Sequence, residues 1–83
     1  MPIALEIVSP DRLLLSQPVD MVVVPAAEGE MGVLPGHAPM IVLLQGGTIT
    51  LHEGGRATSR LYVSGGFAEV NARGLTVLAE HAG

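Results

Sequence analysis

The sequence predicts an all-β domain, and three observations predict it. Apolar and polar residues alternate with period two in several short segments. Turn chemistry built on Gly, Pro, Asn and Asp separates them at intervals of about 8–12 residues, the spacing of a sandwich or barrel. No segment sustains a 3.6-residue apolar repeat, and 11 Gly and 6 Pro among 83 residues leave no room for a long helix. This length predicts one domain over residues 1–83.

The elements follow in order. Ile3, Leu5 and Ile7 share one face of a first strand and Glu6 the other, and Ser9-Pro10-Asp11 turns the chain. Arg12–Ser16 is a short apolar strand that Gln17-Pro18 breaks. Val19–Val24 is β-branched and apolar on both faces except at Asp20, as in a central strand or one covered by another protein. Pro25 is expected to end it, because proline cannot donate to a sheet ladder. Met31–Leu34 forms a short strand and Met40–Leu44 a buried or half-buried one, turned by Gln45-Gly46-Gly47. Thr48–His52 alternates with Ile49 and Leu51 inward, Glu53-Gly54-Gly55 is a hairpin signal, and Thr58–Val63 alternates again. Ser64-Gly65-Gly66 bends the chain into Phe67–Val70, and Asn71–Gly74 loops it into a last strand, Leu75–Ala79.

The net charge is −4, from four Arg and no Lys against eight Asp and Glu. A nucleic-acid footprint or an anchor to anionic lipid needs clustered basic residues, and there are none. Without Lys there is no Schiff-base chemistry and no P-loop; without Cys there is no disulfide and no thiol catalysis. The N-terminus lacks the pattern of a signal peptide, and the apolar runs are too short to span a bilayer.

The stretch Glu28–Pro39 organises the rest. It holds Gly29, Gly32, Gly36, Pro35 and Pro39, so its path is irregular and stiff, and it carries Glu28, Glu30 and His37 outward between apolar strands. Glu28, Glu30 and His37 could together ligate a metal or a small ligand, but His-x-His spacing and any Cys partner are absent, so no metal and no cofactor are expected. Ser64-Gly65-Gly66 lacks the glycine two residues before the serine that a nucleophile elbow needs; Tyr62 stands there. The glycines do not fit a dinucleotide fingerprint, and only Tyr62 and Phe67 could stack on a base. Met21, Val22, Val24, Met40 and Val42 are either a protein-docking face rimmed by Glu28 and Glu30, or ordinary core. The residues leave both readings open.

The run from Glu28 to Pro39 resembles the signature loop of the epsilon subunit of F-type ATP synthases. Leu5–Asp11, Val22–Pro25, Ser64–Val70 and Thr76–Ala79 agree with that family in the same order, so the resemblance covers almost the whole chain. It implies a flattened ten-strand β-sandwich of two mostly antiparallel sheets. It implies a non-catalytic rotor subunit that binds the gamma subunit on one side and the polar loops of the membrane c-ring on another. Such a protein is peripheral, at the cytoplasmic face of the inner (plasma) membrane, and meets the membrane only through the complex. Carried onto this chain, Glu30 and His37 face the c-ring, Glu28 and Met31 neighbour them, and Val42 falls where the family touches gamma. Family members usually continue into a C-terminal helical hairpin that brakes ATP hydrolysis; the sequence runs to Gly83, just past the last strand, so that role is not carried over. Gln45-Gly46-Gly47 also departs from the family's usual Lys-Pro-Gly turn. The alternative from another class is a stand-alone β-sandwich binding a small ligand or metal through Glu28, Glu30 and His37.

Overall fold

The computed structural model describes residues 2–36, 38–72 and 74–80. Among them nine strands and no helix are found: β1 (Ile3–Val8), β2 (Leu13–Val19), β3 (Met21–Ala26), β4 (Gly29–Val33), β5 (Met40–Leu44), β6 (Gly47–Glu53), β7 (Arg56–Val63), β8 (Gly66–Val70) and β9 (Gly74–Ala79). The all-β expectation holds, but the ten strands and two separate sheets do not. One curled mixed sheet runs β2-β1-β9-β8-β5-β3-β6-β7, with β4 added on β3.

The reason lies in β3. Along one side it pairs with β4 over Val22–Ala26. Along the other it pairs with β6 at Met21–Val23 and then meets β5 at Ala26 and Leu44. That handover joins what would be two sheets into one. It also explains why Pro25 lies inside the strand rather than ending it. A residue's N–H and C=O point to the same side of a strand, and the Pro25 carbonyl accepts from the Gln45 N–H at 2.8 Å. Its missing donor therefore falls in the gap between the last β6 partner and the first β5 partner. Pro18, expected to break the second strand, is also inside one; β2 is a sheet edge, where proline costs no ladder bond.

The connections follow local chemistry. β6 and β7 are joined at Glu53–Arg56 by Gly54 and Gly55, whose φ values of 62° and 82° are those of a type I′ hairpin. The Asp20 carboxylate accepts from the Gly54 N–H at 2.7 Å and pins that turn to the β2–β3 corner. Between β8 and β9 the Asn71 side-chain oxygen accepts from the Gly74 N–H at 3.0 Å. The one parallel pair, β1 with β9, brings the two ends of the described chain together.

Inward side chains from all nine strands form a single apolar cluster. Ile3, Leu5 and Ile7 are buried as their alternation predicted, and so are Ile49 and Leu51. The outward face of β5-β8-β9-β1-β2 is not uniformly polar. Leu43 stands opposite Phe67, Phe67 opposite Leu78, Leu78 opposite Val8, and Val8 opposite Leu13. Four of these are exposed and Val8 is half-buried, so an apolar row crosses five strands. A bulge at Leu14 completes it: the register slips between Ile7 and Val8, turning Leu13 to the outer face while Leu15 stays opposite buried Ile7. The next row out carries Ile41, Glu69, Thr76, Glu6 and Ser16.

Candidate functional site

The organising stretch forms the β3–β4 hairpin and the crossing to β5. Ala27 and Glu28 make the tight turn, and β4 runs back with Glu30 opposite Pro25 and Met31 opposite Val24. Glu28 and Glu30 are exposed, and Met31 is half-buried against the core. Both carboxylates project from short, stiff backbone at one tip. His37 lies outside the described residues. Among the described residues no three His, Cys, Asp or Glu side chains gather where they could hold a metal ion.

The tip is tied to β5. The Ala27 N–H donates to the Leu43 carbonyl at 2.9 Å, and Ala26 pairs with Leu44. An open groove between hairpin and strand is lined by Glu28, Glu30, Met31, Met40, Ile41 and Leu43. It is apolar along its floor and acidic at its rim. A second groove, lined by Val8, Pro10, Leu43, Phe67 and Leu78, follows the apolar row. Among the described residues neither groove shows a hydrogen-bonded nucleophile–base pair.

Val42 needs a correction. It was expected at an apolar contact surface, but it is 8% exposed and faces the core. Its neighbours point the other way: Ile41 is 71% and Leu43 68% exposed. Met40 is also exposed, whereas Val22 and Val24 are core and Met21 is half-buried. The choice between docking face and core therefore resolves residue by residue, mostly toward core. The apolar surface is instead the row through Phe67 and Leu78. One signal for it was in the sequence: Glu69 is polar and Ala68 and Val70 are small or apolar, so Phe67 shares the outward face with Glu69.

Residues 2–83 match the family described as ATP synthase, delta/epsilon chain, beta-sandwich domain. The chain is similar to the ATP synthase epsilon chain of Granulibacter bethesdensis, 70% identical over 79 residues that are 95% of this chain and 58% of that one. It is 56% identical over 80 residues to that of Paramagnetospirillum magneticum, covering 96% of this chain and 60% of the relative. The chain thus spans about three-fifths of the length of these relatives. Among solved structures, a chain of the Euglena gracilis mitochondrial ATP synthase (OSCP/F1/c-ring) superposes with a TM-score of 0.88 at 32% identity, over 99% of this chain and 52% of that one. A chain from the central stalk/c-ring structure of the Tetrahymena thermophila mitochondrial ATP synthase has a TM-score of 0.80 at 9% identity, over all of this chain and 66% of that one, and shares the fold.

Proposed function

The chain belongs to the beta-sandwich domain family of ATP synthase delta/epsilon chains, and from that premise we propose that it is a non-catalytic subunit of the rotor of an F-type ATP synthase. In this role it links the gamma subunit to the membrane c-ring and couples ion translocation to ATP synthesis or hydrolysis. The observation that carries the reading is the pairing of two surfaces on one strand. β5 borders the acidic hairpin tip on one side and opens the apolar row on the other.

The acidic tip suits the basic polar loops of a c-ring. Glu30 meets them, with Glu28 and Met31 as neighbours; His37, which the resemblance assigns to the same contact, lies outside the described residues. Each rim ion pair is worth about 0–1 kcal/mol, so these charges set register more than affinity. The apolar row suits gamma. Leu43, Phe67 and Leu78 are its direct contacts, and Val42 acts from beneath by anchoring β5 in the core. The described residues contain no helix able to cross a membrane. In this reading the protein is peripheral at the cytoplasmic face of the inner (plasma) membrane and reaches the bilayer only through the ring.

Co-purification tests the proposal. The chain should co-elute with a gamma subunit from a close relative. Phe67→Asp should abolish co-elution while leaving the circular-dichroism melt unchanged. Failure of the unsubstituted chain to bind gamma overturns the reading.

A further inference from the structure

We propose that Leu43 is the contact shared by the two partner surfaces, through which gamma and the c-ring bind this domain cooperatively; the inference rests on the assignment of those partners made above. Leu43 is the one described residue that lines both grooves. It lines the first together with Glu28, Glu30 and its own-strand neighbour Ile41, and the second together with Phe67 and Leu78. Its neighbours Val42 and Leu44 are buried in the core, so its backbone is fixed while its side chain stands 68% exposed. Its carbonyl also accepts the Ala27 N–H at 2.9 Å, at the root of the acidic tip. The spacing between tip and row is therefore set at this residue.

The physical consequence is a linkage. An exposed leucine gives up rotamer freedom and apolar hydration when a partner covers it. The partner that arrives first bears that ordering cost, and the second meets a side chain already held. For a leucine the saved freedom corresponds to about a two- to fivefold gain in affinity for the second partner. The gain is reciprocal, whichever partner binds first. Gamma and the ring also touch each other in such an assembly, so the readout is the change in linkage between variants, not its absolute size.

The test measures affinity of the full chain for purified gamma and for the detergent-solubilised c-ring, each alone and with the other at saturation. Leu43→Ala should weaken both binary complexes and cut the linkage factor about two- to fivefold. Ile41→Ala should weaken only ring binding, and Phe67→Ala only gamma binding, both with the linkage of the unsubstituted chain. An unchanged linkage in Leu43→Ala, or a loss confined to one partner, overturns the proposal and leaves the partner assignment standing. An unsubstituted chain that binds neither partner overturns both.

Discussion

Gly74 stands where β9 first meets β1, opposite Ala4 in the parallel ladder. A Cβ there would run into the Ala4 carbonyl, which is main chain and cannot rotate away. Gly74→Ala should therefore cost about 1–3 kcal/mol, seen as a lower urea midpoint at unchanged slope. Asp20 is a milder case. Its bond to the Gly54 N–H is exposed, so Asp20→Ala should lose about 0.5–1.5 kcal/mol in the same assay. At the tip, Glu30→Gln should leave stability unchanged and weaken ring binding by at most about fivefold, a loss that shrinks further as salt is raised.

At the scale of the element, β5 gives the sharpest contrast. Val42→Ala should destabilise the fold by about 1–3 kcal/mol because it empties part of the core. Once folded, that variant should bind gamma as before. Leu43→Asp should do the reverse: stability within about 0.5 kcal/mol and gamma binding lost, checked by a urea melt beside co-elution. Much of this fold was legible in the sequence. Ile3, Leu5 and Ile7 alternate with Ala4 and Glu6, so their strand and its buried face could be read together. Met40-Ile41-Val42-Leu43-Leu44 is apolar at every position, so period two marks no face, and only the pairing with β8 says which residues turn outward. Pro25 misled for a related reason. A proline stops a ladder only where a partner needs its N–H, and none does at the point where β3 changes neighbours.

At the scale of the molecule, one apolar cluster draws on all nine strands, so no part of the fold can lose its core alone. Unfolding followed by far-UV circular dichroism and by emission of the single tyrosine, Tyr62, should give coincident transitions. Non-coincident curves would mean that the two halves of the curled sheet melt separately. The joining of those halves was not legible in the sequence, because it depends on one pair, Ala26 with Leu44. The apolar row escaped for the same reason: its members sit between residues 8 and 78, and only the stacking of five strands aligns them.

The hydrogen-bonded rungs of the β3–β4 ladder, which runs from Val22–Val33 to Ala26–Gly29, lie crosswise to the length of the hairpin. A thrust delivered lengthwise at Glu28 loads those rungs in shear, where they must yield together. A crosswise peel would open them singly. Engaged end-on by a turning machine, the hairpin is a strut, and its stiffness owes nothing to the strength of any single bond.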